Sequence, residues 1–260
     1  GSGSTANTMY SGGGEIRLRG AAGSGGPMGI EIRPNKSIIA GAGKIELGVR
    51  NDSGVNARGI ELGWGGAGNV KIYSSAQADP AIRIEALAAS TTGDAGILSG
   101  HHNSGTNKID IQATGNGGVL MSASNAVNSS RFGIELNGTS VLSTTGDIEI
   151  NGGQRGVGFN SWVAAYGVNH LGSCTTTNMP SSDNCPASIV ASTSVDVLVR
   201  GNQMSFYGDN RWTSVRTNGN VVFEPAVGDN FTSIFNFYAN LSNLLPESIR
   251  LGKDSTTATF

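Results

Sequence analysis

Residues 133–152 read Gly-Ile-Glu-Leu-Asn-Gly-Thr-Ser-Val-Leu-Ser-Thr-Thr-Gly-Asp-Ile-Glu-Ile-Asn-Gly. Two apolar-charged-apolar triplets, Ile134-Glu135-Leu136 and Ile148-Glu149-Ile150, flank Val141-Leu142, and glycine or Asn-Gly bounds each of them. Residues two apart share a face of a strand, so Ile148 and Ile150 point one way and Glu149 the other. The stretch predicts three short strands joined by tight turns. Ile134, Leu136, Val141 or Leu142, Ile148 and Ile150 are expected inside, with both glutamates in water.

The same phrase recurs outward from this stretch. Upstream lie Ile16-Arg17-Leu18, Ile30-Glu31-Ile32, Ile38-Ile39, Ile45-Glu46-Leu47, Ile60-Glu61-Leu62 and Val70-Lys71-Ile72. Ile82-Arg83-Ile84, Ile97-Leu98, Ile109-Asp110-Ile111 and Val119-Leu120-Met121 continue the series, and Val157-Gly158-Phe159 follows downstream. Such spacing, roughly 7 to 15 residues, fits short strands separated by turn signals. Segment 29–47 lines up with 133–150: Gly-Ile-Glu-Ile, Ser-Ile-Ile and Lys-Ile-Glu-Leu stand against Gly-Ile-Glu-Leu, Ser-Val-Leu and Asp-Ile-Glu-Ile. An internal repeat of short strands indicates a solenoid, in which each coil buries its apolar face against the coils above and below.

Two other readings compete. Forty glycines among 260 residues, with Ser, Thr and Asn abundant, also describe a flexible linker. Disordered chains lack apolar residues at the strand period, however. A β-sandwich also uses regularly spaced strands, but its strands usually exceed three residues, and no long alternating hairpins occur here. The expected fold is therefore all-β, a right-handed parallel β-helix of roughly ten coils and about 50 Å. Residues 1–159 supply glycine-rich coils, 160–187 one irregular loop excursion, and 188–260 further coils.

The excursion contains Trp162, Tyr166, His170, Cys174 and Cys185, with two prolines and no strand pattern. Loops on a rigid scaffold carry binding residues, so Trp162, Tyr166 and His170 are candidates for contact with a partner, beside the plainer reading of a structural flap. Two cysteines close together in a polar loop favour a local Cys174–Cys185 disulfide and an oxidising compartment over a pair of reduced thiols. No second cysteine pair or histidine cluster completes a zinc site, and no metal or cofactor is expected. Beyond 187 the beats are Val195 to Val199, Met204-Ser205-Phe206, Trp212, Val215, Val221-Val222-Phe223 and Ile249-Arg250-Leu251. Phe231 to Leu245, the most aromatic part, reads as a short helix or an irregular apolar loop.

A net charge of −2 with scattered basic residues gives no footprint for nucleic acid or an anionic membrane. No apolar run approaches the roughly 20 residues of a membrane-spanning helix. Gly1-Ser2-Gly3-Ser4 reads as a cloning scar or a cut point. The strand pattern at Ala258-Thr259-Phe260 would leave a raw sheet edge, so further coils are expected beyond it.

The Gly-Ile-Glu-Leu and Thr-Thr-Gly-Asp-Ile-Glu-Ile-Asn-Gly units, together with 217–225 and 248–257, resemble the repeat regions of filamentous-haemagglutinin-like exoproteins of bacterial two-partner secretion systems. The resemblance spans the chain except 160–187. It implies a right-handed parallel β-helix, export through an outer-membrane barrel transporter, and a secreted or cell-surface adhesin or filament shaft. Its partner would be a host-cell receptor, a glycan or a surface polymer. Some adhesins of this kind are glycosylated at Asn-x-Ser/Thr, a pattern that Asn35, Asn51, Asn128, Asn137, Asn230 and Asn240 fit, although an Asn- and Ser-rich chain generates such matches readily.

The alternative is a polysaccharide-processing β-helix enzyme or a phage tailspike-like depolymerase. Glycoside hydrolysis uses two carboxyl groups close together, and the pectinase-like Asp-Asp and Arg-Ile-Lys motifs are missing, with only Gly100-His101-His102 as an echo. Glu31, Glu46, Glu61, Glu135 and Glu149, at the middle of triplets, are expected on a solvated outer face, because glutamate is seldom buried. His101 and His102 would point to opposite faces of a strand and read as a turn. Gly63 to Gly68 has no following helix to make a phosphate cradle. A non-enzymatic role is expected.

Overall fold

The computed structural model describes residues 7–21, 28–51, 58–63, 68–88, 96–100, 107–124, 132–137, 139–161, 164–167, 195–206, 214–217, 219–235 and 248–253. The apolar triplets form strands, and every described pairing is parallel to a strand one coil away. The first coil comprises β1 (Asn7–Tyr10), β2 (Ile16–Ala21) and β3 (Met28–Ile32). The second has β4 (Lys36–Gly41), β5 (Ile45–Asn51) and β6 (Arg58–Leu62), and the third β7 (Gly68–Ser74), β8 (Ile82–Ala88) and β9 (Ile97–Ser99). Next come β10 (Asn107–Ala113), β11 (Val119–Ser124) and β12 (Ile134–Asn137), then β13 (Thr139–Ser143), β14 (Ile148–Asn151) and β15 (Val157–Ser161). The sixth coil is β16 (Ala164–Gly167), β17 (Val197–Arg200) and β18 (Gln203–Phe206). The seventh is β19 (Ser214–Thr217), β20 (Asn220–Glu224) and β21 (Ser233–Phe235), and β22 (Ser248–Leu251) begins another turn.

First strands of each coil stack into sheet A, second strands into sheet B and third strands into sheet C, giving sheets of seven, eight and seven strands. This is a parallel β-helix. The aligned segments 29–47 and 133–150 are its repeat: each begins in sheet C (β3, β12), crosses to sheet A (β4, β13) and ends in sheet B (β5, β14).

Packing follows from register. In sheet B, Ile16, Ile45, Ile82, Val119, Ile148, Val197 and Val221 stand one above another. All seven are buried, and each buried side chain of this size contributes about 1.5–3 kcal/mol relative to exposure. Ile134, Leu136, Val141, Leu142, Ile148 and Ile150 are buried as their triplets require. Val141 takes the inward position, aligned with Ile111 and Ile72.

The corner between sheets A and B explains the glycines. A Cβ on Gly43 would lie 2.0 Å from the carbonyl oxygen of Gly14, and one on Gly118 1.9 Å from that of Asp147. At these two positions successive coils approach too closely for a Cβ. Polar groups knit the same corner: Ser74 Oγ donates to the Gly43 carbonyl at 2.7 Å and accepts from the Ala76 N–H at 3.1 Å. Aspartates join one coil to the next, Asp79 accepting from the Gly118 N–H at 2.8 Å, Asp147 from Asp196 at 3.0 Å and Asp196 from Asn220 at 2.7 Å.

Four expectations need correction. The described strands complete seven coils plus β22, not ten, and sheet B is about 34 Å long at one strand spacing per coil. The reason lies in the length of a turn. Aligned positions in sheet A advance by 29 residues from Asn7 to Lys36, 34 to Val70 and 39 to Ile109. Strands are not limited to triplets, since β5, β7, β8 and β10 have seven residues. Small residues such as Ala86 and Ser74 prolong the inward alternation beyond the large aliphatics. The excursion placed at 160–187 overlaps the coil: β15 runs to Ser161, and β16 pairs with β13 and β19. Ala164-Ala165-Tyr166-Gly167 has no Ile, Leu or Val to mark it as a strand. Finally, the first part of Phe231 to Leu245 contains β21, which pairs with β18 in sheet C.

Candidate functional site

A β-helix presents three outward faces, and the register assigns each residue to one. On sheet B the outer positions form an ion-pair network. Arg17 Nε meets Glu46 at 2.6 Å while its Nη2 meets Glu15 at 2.6 Å. Arg83 pairs with Glu85 at 2.8 Å. Further along, Arg200 reaches Glu149 and Glu224, each at 2.6 Å, and Arg250 reaches Glu224 at 3.3 Å. This chain of four groups runs from β14 to β22. Burial alone would lower the Arg200 pKa, but the Glu224 hydrogen bond and the charges of Glu149 and Glu224 outweigh it and raise the value. Arg17 is likewise raised, chiefly by its hydrogen bond to Glu46.

Sheet C differs. Its outer column aligns Glu31, Glu61, Leu98, Glu135, Gly158 and Ser205. Glu31 is exposed, but Glu61 is 0% and Glu135 4% exposed, so the expected solvated position is wrong for these two. Leu98 and Ser205 are buried as well. The triplet pattern separates inside from outside of the coil and carries no information about what lies over the outside. One covering group is Phe132: a Cβ on Gly158 would fall 2.6 Å from its ring. The glycine makes room for the aromatic face.

Sheet A supplies the third arrangement. Its outer columns are Tyr10, Ile39, Tyr73 and Gln112 in one line, with Lys71 and Asp110 in the neighbouring line. Tyr73 Oη donates to Asp110 Oδ2 at 2.5 Å, and Gln112 Nε2 donates to Oδ1 and Oδ2 of the same carboxylate at 3.0 and 3.1 Å. Burial, followed by the hydrogen bond to Asp110 and its charge, holds the Tyr73 hydroxyl proton above the ordinary tyrosine range. Tyr10 is 69% exposed and Lys71 is exposed. The line closes at Leu142, which is 6% exposed. One face thus joins an exposed ring and an exposed ammonium to a fixed ring, a carboxylate and an amide that are half-buried.

Of the residues singled out in the sequence, Tyr166 stands in β16, aligned with Leu142 and Arg216 in sheet A. Trp162, His170, Cys174, Cys185, His101 and His102 lie outside the described residues, as do Asn128 and Asn240. Asn35 occupies a corner with φ 62°, and Asn230 is exposed in the turn between β20 and β21. That turn is fastened by Asn202, whose side-chain amide accepts from the Val227 N–H at 2.9 Å and donates to the Val227 carbonyl at 2.6 Å. The Tyr73–Asp110–Gln112 cluster escaped sequence reading because tyrosine and carboxylate are 37 residues apart. Only a correct coil length brings them together. Among the described residues, no group of three His, Cys, Asp or Glu could hold a metal ion, and no helix is long and apolar enough to cross a membrane.

Comparison of the chain with family models, curated proteins and solved structures returned no match. The arrangement of three parallel sheets defines the class as a parallel β-helix.

Proposed function

We propose that the chain is part of the shaft of a secreted or surface-bound bacterial adhesin of the filamentous-haemagglutinin-like kind, exported through an outer-membrane barrel. The observation that carries this reading is the unbroken stacking of sheet B through eight strands, with one aliphatic column at its centre. Each coil is held by its neighbours alone, so such a stack extends by repetition into a rod that holds contact surfaces away from a cell. The recurring Gly-Ile-Glu-Leu and Asp-Ile-Glu-Ile units, which supply the rungs, are those that carry the resemblance. A right-handed turn is expected, as parallel crossovers overwhelmingly have that hand. The partner is a host receptor, glycan or surface polymer.

Beads coated with the chain and mixed with epithelial or bacterial cells test the reading. Retention above beads coated with an unrelated β-helix is the expected result, and replacing 168–187 by a short Gly-Ser link, which keeps β16, or Trp162 and Tyr166 by alanine should weaken it if Trp162, Tyr166 and His170 make the contact. Equal retention of both coated beads would overturn the adhesin reading. The enzymatic alternative is checked by release of reducing ends or unsaturated sugars from acidic polysaccharides. Sustained turnover would replace the shaft by a depolymerase.

A further inference from the structure

The three faces offer different things to a partner. Arginines and glutamates on sheet B largely satisfy one another, and the central outer column of sheet C is covered. Sheet A keeps an open strip from Tyr10 to Gln112. Its rungs are about 4.8 Å apart along the coil axis, and its two outer columns about 6.6 Å apart across it. Lys71 and Asp110 carry opposite charges and balance within these two columns, with Lys108, level with Asn69, in the next outer column. Asp110 accepts three hydrogen bonds from Tyr73 and Gln112, which fixes both side chains before any ligand arrives and lowers the entropy lost on binding.

We propose that this strip docks an extended neutral polysaccharide, laid along the coil axis with about one sugar per rung. The inference rests on the surface-adhesin reading and names one partner class and one face for it. A β-linked hexose is close in length to the strand spacing, so successive sugars meet equivalent positions on successive coils. The carbon-bound hydrogens of a pyranose face pack on an apolar or aromatic surface, here the ring of Tyr10, Ile39 and the ring of Tyr73. Its hydroxyl rim needs both donors and acceptors. Lys71 supplies donors, the Gln112 side-chain carbonyl accepts, and an ionised carboxylate such as Asp110 has about four acceptor sites, of which three are used. A polyanion would gain from Lys71 and lose to Asp110, which favours an uncharged chain.

The test measures binding of cellohexaose, mannohexaose and xylohexaose to the full chain by calorimetry, with polygalacturonate as the acidic comparison. At least one neutral oligosaccharide should bind, and more tightly per sugar than polygalacturonate. Tyr10→Ala should weaken it by about tenfold, Tyr10→Phe should restore it, and Leu87→Ala on sheet B should leave it unchanged. Gln112→Ala provides a second variant, with the β-sheet circular dichroism of each protein as the check on folding. Failure of all three neutral probes, stronger binding of polygalacturonate, or affinity indifferent to Tyr10 and Gln112 would overturn the proposal. Bead retention by cells that persists with Tyr10→Ala and excess oligosaccharide would leave the adhesin reading standing and remove sheet A as its contact.

Discussion

The outer faces of sheets B and C are built from one sequence phrase and end in opposite environments. Ile148-Glu149-Ile150 in sheet B turns its glutamate toward water and the Arg200 guanidinium. Ile134-Glu135-Leu136 in sheet C, two corners earlier, has its glutamate 4% exposed, and Ile60-Glu61-Leu62 has its own fully enclosed. The inward residues behave identically in both sheets. What differs is the covering of the outer face, as at Gly158 beneath the Phe132 ring. Binary patterning decides which side of a strand faces the coil interior; what packs over the outer side, as Phe132 does at Gly158, decides whether that side stays wet.

Reversing charge on both faces tests this contrast most severely. Glu61→Lys puts an ammonium in a fully enclosed position and should cost about 3 kcal/mol or more, whereas Glu149→Lys on the screened face should cost about 1 kcal/mol. Urea denaturation followed by circular dichroism at the β-sheet minimum measures both, and equal losses would erase the distinction between the faces. Next in size is Arg200→Ala, which removes the nearer of the two arginines that Glu224, largely buried, meets in this ladder and leaves the Arg250 contact at 3.3 Å. A loss of about 2 kcal/mol is expected, with partial recovery in Arg200→Lys.

Ser205→Ala probes sheet C in the other direction. The Ser205 hydroxyl is buried and makes no hydrogen bond among the described residues, so removing it should leave stability unchanged or raise it by about 1 kcal/mol. A clear loss would mean that the covering layer hydrates or bonds this position. The smallest effect concerns sheet A. With its folded pKa raised by burial and by Asp110, Tyr73 contributes stability that is complete below the unfolded tyrosine pKa of about 10 and falls away as pH rises through the folded value. Absorbance titration should show one of the five tyrosines ionising later than the rest, and Asp110→Asn should bring it back toward them.

How much of this was legible in the sequence depends on the range of the interaction. Ile148 and Ile150 announce their strand and its inner face within three residues, and the likeness of 29–47 to 133–150 announced the repeat correctly. Coil length was less legible. Turns that advance by 29, 34 and 39 residues cannot be phased from triplets alone, and the expected number of coils was accordingly too high. Ala164-Ala165-Tyr166-Gly167 failed as a strand signal because pairing with β13 and β19, not intrinsic hydrophobicity, holds it in place. Tyr73 and Asp110 were visible as residues but not as neighbours.

The seam where sheets A and B meet leaves no volume at Gly43 or Gly118 for a single added methyl group. The restriction belongs to those two glycines and not to the whole seam, since Ala81 and Asp147, level with Gly118 in the neighbouring coils, carry side chains. Backbone proximity thus sets the tolerance to substitution position by position: a methyl group added at Gly43 or Gly118 must move a neighbouring coil, whereas one added at exposed Tyr10 or Lys71 meets water.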